Sequence, residues 1–269
     1  MATGSLQVNR DIILATKKQY FKEQVAHTPV DAVVALASMQ KRPRGILNFS
    51  NDGEKVTVFA QVTRHEIYDP ITSALHCLAN GADAIALFTD HSIYHSDLDD
   101  LLMLARAVPH VPVLFQNYMM NEYAVMSARA WDASAVFFYS DLVQPIDVRK
   151  MVSMAQRWKM NTIVQVANKD HLDHALTLSP HVLAFGRSLE DDLEDTVASL
   201  DDIRSTLPFF VKVMLAKTLN SVEEVALAVK AKVDAIIVNE DVLRHERHAA
   251  TVRQLVAEVE AERADALRA

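Results

Sequence analysis

From about residue 56 onward, eight short apolar runs alternate with longer segments that have helical spacing. The runs are Val56–Val62, Ala84–Thr89, Val113–Phe115, Ala135–Tyr139, Thr162–Val166, Val182–Phe185, Phe210–Met214 and Ala235–Asn239. They are almost continuously apolar, as parallel strands become when both of their faces are covered. Junction chemistry agrees. Asp69-Pro70 and Gln144-Pro145 place proline at the start of a helix, and Ser221 with Glu224 reads as a capping box. Eight such units in 269 residues predict an α/β fold, a TIM (β/α)8 barrel rather than an open doubly wound sheet.

Ahead of the barrel, Arg10–Ala26 and Pro29–Met39 read as two helices. Residues 1–55 are therefore expected to form a helical extension able to cap one end, with 56–269 as the barrel and the whole chain as one domain. At the other terminus, Thr251–Leu267 places Val252, Leu255, Val256 and Val259 on one face, the pattern of a closing helix with a solvated outer side.

Composition narrows the partners. The formal charge of -8, from 27 basic and 35 acidic side chains, disfavours neutralising nucleic-acid phosphates or coating an anionic membrane. A small molecule or a protein is the expected partner, with no cofactor. Cys77 is the single cysteine and lies in a helical run, so it reads as a buried packing residue with no disulfide to make. No secretory leader and no stretch of about 20 apolar residues is visible, which points to the cytoplasm. There are only five glycines, at 4, 45, 53, 81 and 186, where average usage gives roughly three times as many. Loops that cradle phosphate by close backbone approach usually need glycine, so this scarcity counts against a strong phosphate site.

Three of the runs end on glutamine: Ala60-Gln61-Val62, Phe115-Gln116-Asn117 and Val164-Gln165-Val166. Barrel enzymes place acids, bases and electrostatic groups at such strand ends. A primary amide can orient a ligand by hydrogen bonds, but it does not exchange a proton near neutral pH.

Several segments, in order, resemble the indole-3-glycerol-phosphate synthase family. They are Ile13–Val25, Asn80–Asp90, Val111–Met119 followed by Glu122-Tyr123 and Ala128–Ala130, and Asp170–Leu176. The resemblance implies a tryptophan-pathway barrel that closes an indole ring, and it sets what should stand at each strand end. Where that family has Ala-Glu-Val-Lys, this chain has Ala60-Gln61-Val62-Thr63. The lysine that serves as general acid falls on Gln116, followed by Asn117, and the fifth-strand glutamate on Gln165. The sixth-strand asparagine falls on Gly186. The phosphate-binding Glu-Ser-Gly falls on Leu215-Ala216-Lys217, and the eighth-strand Gly-Glu-Ser on Asn239-Glu240-Asp241. The resemblance thus implies a family scaffold whose pocket positions, Gln61, Thr63, Gln116, Asn117, Gln165, Gly186, Ala216, Lys217 and Asn239, no longer carry the parent acid-base chemistry.

The leading expectation is a non-catalytic ligand-binding or regulatory barrel, with a repurposed enzyme or a divergent active synthase as alternatives. Asp90, His91, His95, Asp141 and Arg187 lie just past strand ends and are the candidates for a new site. His91 and His95 are four apart, but metal ligation at that spacing needs a helix and this segment reads as a loop, so no metal is expected.

Overall fold

The computed structural model describes residues 10–46, 55–65, 69–90, 95–186, 192–204, 206–208 and 210–268. Eight parallel strands close in sequence order into one barrel. They are β1 (Thr57–Val62), β2 (Ala84–Phe88), β3 (Val113–Gln116), β4 (Ala135–Phe138), β5 (Asn161–Val166), β6 (Val182–Phe185), β7 (Lys212–Leu219) and β8 (Ala235–Asn239). The helices are α1 (Arg10–His27), α2 (Val30–Met39), α3 (Pro70–Ala79), α4 (Leu98–Ala107), α5 (Glu122–Ala130), α6 (Pro145–Arg157), α7 (Leu172–Thr177), α8 (Leu193–Arg204), α9 (Val222–Lys230), α10 (Glu240–Arg244) and α11 (Glu246–Arg268). This is the expected TIM barrel. The apolar runs supply its strands because both faces of each are covered.

Alternation along each strand divides the core in two. Phe59, Ala86, Leu114, Phe137, Ile163, Ala184, Met214 and Ile237 fill the barrel interior. Val58, Ala60, Ile85, Phe115, Val164 and Val238 face the surrounding helices. The small side chains of β2 and β6 are offset by Phe59 and Phe137, so the interior is packed and not a channel.

Helix starts follow local chemistry. The Asp69 carboxylate accepts from Thr72 N with Pro70 at the first helical position, and Asp97 with Asp100 closes a capping box on α4. At α9 only half of the expected box forms. Ser221 Oγ accepts from Glu224 N, while the Glu224 carboxylate turns to Asn220 N at 2.6 Å and Lys217 Nζ at 3.1 Å. The glycine shortage has a structural counterpart: Asp132, Lys159, Ser179 and Lys232 take positive φ, between 49° and 67°, at turns that usually favour glycine.

Two boundaries differ from expectation. The seventh strand begins at Lys212 and runs to Leu219, not Phe210–Met214; Phe210 sits exposed in the preceding turn. A register shift between Met214 and Thr218 lets this strand continue past its apolar start. The closing helix starts at Glu246, earlier than Thr251, and buries Ala249, Val252 and Val256.

The amino-terminal helices are tied to the third βα unit. Tyr123 Oη faces the Gln24 and Thr28 carbonyls at 3.1 and 2.9 Å, and Gln40 Nε2 donates to Ala130 O at 2.7 Å. That anchorage positions α1 for its contacts at the carboxyl ends of the strands. Among the described residues, no helix is long and apolar enough to cross a membrane.

Candidate functional site

Gln61, Gln116 and Gln165 occupy inward positions on β1, β3 and β5, and all three are buried. Strands of odd number contribute to a common layer in this architecture, so the three amides belong to the top of the interior. Each is engaged with a neighbour. Thr218 Oγ1 on β7 donates to Gln61 Oε1. Gln116 Nε2 lies 3.3 Å from Tyr139 Oη. Gln165 Nε2 donates to Gly186 O at 2.9 Å and approaches Asp141 Oδ2 at 3.4 Å.

The Gln165 orientation is fixed by chemistry. A backbone carbonyl and a carboxylate both require a donor, so the amide nitrogen must face them and Oε1 must face away. Among the described residues, Gln116 Oε1 and Gln165 Oε1 have no hydrogen-bond partner.

The remaining pocket positions do not all converge. Asn117, one residue beyond inward Gln116, turns to β2 and donates to the Thr89 carbonyl and hydroxyl. Asn239 caps α10 through Asp241 N and reaches Asn220, so it spends its amide on local structure. Ala216 packs against the interior, whereas Lys217 pairs with Glu224 beside α9. Gly186 has φ +113°, a backbone angle that a side chain would strain.

Thr63 belongs to a different cluster. Buried Glu240 Oε1 accepts from Thr63 N at 2.9 Å and Thr63 Oγ1 at 3.0 Å, and His65 Nε2 lies 2.9 Å from it. Sequence reasoning marked Glu240 as kept from the family motif, but not His65 as its neighbour. The two lie far apart in the chain and meet because β1 pairs with β8.

Of the alternative candidates, His91 and Arg187 lie outside the described residues. His95 turns at φ +53°. Asp90, at the end of β2, forms a 2.8 Å ion pair with Lys17 of α1, and both side chains are almost wholly buried. Desolvation pulls the Lys17 ammonium below its ordinary pKa, against the opposing attraction of Asp90. Lys17 also lies over the Tyr20 ring, and burial, followed by the charges of Asp97 and Asp90, pushes Tyr20 up to about 12. A sequence signal for Lys17 existed: it sits four residues from both Ile13 and Phe21, on the buried stripe of α1. Ile13 joins the cluster that contains Phe88, Tyr118 and Tyr139, so α1 covers part of the mouth.

Beside the mouth, between the loops that follow β4 and β5, lies a cleft of about 460 Å³. Its walls include Ser140, Asp141, Gln165, Asn168, His171 and His174. Cys77 is buried, with its thiol pushed up to about 12 by desolvation and then by the nearby Glu240 charge; it is a packing group. Among the described residues, no three metal-ligating side chains cluster.

A closed eight-stranded parallel barrel with polar groups at its carboxyl ends defines the TIM-barrel class. Solved structures agree at the level of fold: thiamine phosphate pyrophosphorylase from Pyrococcus furiosus superimposes with TM-score 0.57 at 16% identity, over 77% of this chain and 98% of that one. The sequence is more specific. The family model described as indole-3-glycerol phosphate synthase matches residues 11–255, and the chain belongs to that family. Relatives named indole-3-glycerol phosphate synthase include one from Kineococcus radiotolerans, 27% identical over 263 residues, covering 92% of this chain and 94% of that protein. Another, from Dichelobacter nodosus, is 22% identical over 242 residues, covering 85% of this chain and 90% of that protein.

Proposed function

We propose that this barrel has given up the family's ring-closing reaction and acts as a non-catalytic protein that binds a small molecule at the same mouth, in a regulatory or partner role. The observation that carries this reading is the pair of buried amides at Gln116 and Gln165. They stand where the family resemblance puts the general-acid lysine and the proton-transferring glutamate. A positioned acid or base contributes on the order of 10²–10⁴ in rate, and members of one catalytic unit do not add independently. With neither present, ring closure by the parent route loses its proton donor and its proton acceptor together.

Placement supports the phosphate half of the reading as well. Ala216 presents a Cβ to the interior, and Lys217 is committed to Glu224. Purified protein supplied with the parent carboxyphenylamino sugar phosphate is expected to give no indole glycerol phosphate above background, and expression is expected to leave a tryptophan auxotroph unrescued. Turnover at ordinary family rates overturns the proposal.

A second reading, a repurposed enzyme, draws on the Lys17–Asp90 pair. In this reading the Lys17 ammonium first passes a proton to Asp90, and the neutral amine then adds to a carbonyl, with loss of water, to give an imine. Borohydride reduction in the presence of pyruvate, followed by peptide mass spectrometry, tests it. A reduced adduct on Lys17 supports this reading, and an unmodified Lys17 removes it.

A further inference from the structure

Beside α1, at the rim of the mouth, runs a groove of about 610 Å³ that the site described above does not use. At about 3.6 residues per turn, Leu14, Phe21 and Val25 fall within about 40° of one another on α1, and Lys18 and Lys22 follow along one edge of that stripe. Met120, Leu142 and Val143, from the loops after β3 and β4, form the facing apolar wall. The volume is that of a small-molecule site, on the face where this architecture places its ligands. From Leu14 to Val25 the stripe extends for about 16 Å, at about 1.5 Å per residue, so the groove is a trough and not a round pocket.

The polar groups along the trough select a chemistry. Lys18 and Lys22 are exposed and, among the described residues, form no ion pair. Their methylene stems extend the apolar wall while the ammonium groups stay in water. Asn121 Oδ1 accepts from Ala124 N at 3.1 Å, so its amide nitrogen is left as a donor. Gln144, ahead of α6, makes no side-chain cap bond, so its amide is not spent on that helix. Asp147, a carboxylate in the lining, is paired with Lys150 at 3.3 Å. An apolar trough edged by two cations complements a molecule that is apolar along its length and negative at one end.

We infer that this groove binds a linear aliphatic carboxylate, its chain lying along Leu14, Phe21 and Val25 and its carboxylate at the ammonium groups of Lys18 and Lys22. A linear chain follows the length of the trough, whereas a compact ring leaves much of the apolar stripe without contacts. The assignment goes beyond the proposed function and does not depend on it. Both lysines stand on α1, outside the ring of strands that carries the three glutamines.

The test uses the intact chain with decanoate, decanol and decyltrimethylammonium, each below its micelle-forming concentration. Titration calorimetry is expected to show a single decanoate bound at least about fivefold more tightly than decanol, with decyltrimethylammonium weakest. Lys18→Gln combined with Lys22→Gln, at exposed helix positions that put folding at little risk, is expected to weaken decanoate at least about fivefold and to leave decanol within about twofold. Lys18→Arg with Lys22→Arg keeps both charges and should keep the preference for decanoate. Val25→Asp, which places a charge in the apolar stripe, should weaken decanoate and decanol alike. Decanol bound as tightly as decanoate, a preference for the cation, undiminished decanoate binding in the double glutamine variant, or no binding of any probe overturns the inference. So does an affinity that falls as protein concentration rises, which means that a second copy of the chain fills the groove. None of these results bears on ring closure, and turnover of the parent substrate with decanoate binding intact overturns the functional reading alone.

Discussion

At the amino ends of the strands, Asp83 Oδ2 accepts from Val58 N at 2.9 Å and Asp234 Oδ2 from Val213 N at 2.8 Å. Asp234 Oδ1 also meets Lys212 at 3.4 Å and Arg263 at 3.8 Å, and Asn161 Oδ1 accepts from Ile46 N. At the carboxyl ends, Gln116 Oε1 and Gln165 Oε1 accept from no described residue. Both ends bury polar side chains; the amino-end carboxylates tie strands together, whereas two amides at the carboxyl ends keep an acceptor without a described partner. In this architecture the amino-end face is generally the stabilising one, and the carboxyl-end face is where active sites are built. The carboxyl end is itself uneven. On its β1–β8 side, Glu240 Oε1 is taken up by Thr63 and His65, while Glu240 Oε2 has Arg244 at 3.8 Å.

The largest effect is expected at the amino end. Asp234→Ala removes the acceptor of Val213 N and the counter-charge of two cations at once, leaving buried groups unmatched. Urea denaturation should show a loss of about 4 kcal/mol. A loss below about 1 kcal/mol would mean that this end is no more tightly built than the mouth.

Next comes the pair that fastens α1 across the mouth. Lys17→Met keeps the apolar stem on the Ile13–Phe21 stripe but removes the ammonium from Asp90, with an expected cost of about 3 kcal/mol. Adding Asp90→Asn should recover part of that loss, and the double-mutant cycle isolates the coupling. If the double variant loses the sum of what the two single variants lose, the pair does not couple, and α1 is held by Tyr123 and packing instead.

Gln116→Met probes the opposite prediction. The amide's carbonyl has no described partner, and its nitrogen makes only a long contact to Tyr139. Replacing the amide by an apolar group of similar length should change stability by no more than about 1 kcal/mol, in either direction. A large loss would show that the Gln116 carbonyl is bonded after all and that the contrast between the two ends is false.

How much of this was legible beforehand follows from range. The eight strands were readable because burial on both faces writes a local apolar run, and α3 was readable from Asp69-Pro70. The extent of β7 was not: Ala216, Lys217 and Thr218 look like a loop, and only pairing with β8 across the register shift holds them extended. The glutamines were visible as residues at strand ends, but their orientation depends on Gly186 O, Thr218 and Tyr139, which the chain brings in from other strands. Lys17 was hidden for a related reason. A lysine in a charged helix suggests solvent, and its burial depends on Asp90, seventy-odd positions away in sequence.

The smallest effect sharpens the amino-end half of the comparison through pH. His181, just before β6, accepts from Thr162 N at its Nδ1, at 3.1 Å, so the ring must be unprotonated at that nitrogen. Burial lowers its pKa below 6.5. The unfolded chain therefore takes up a proton at about 6.5, where the folded protein still refuses it. With more protons bound in the unfolded state, stability must fall as pH drops through 6.5 toward the lowered folded value, and the slope vanishes below it. Above 6.5 this residue contributes no slope. His181→Gln keeps an acceptor for Thr162 N but does not titrate. Denaturation of both proteins at about pH 7.5 and about pH 5.5 should show the wild type losing more stability on acidification than the variant. Parallel losses would mean that His181 is protonated without cost in the folded state. The bond to Thr162 would then not be one of the ties that hold the strands' amino ends.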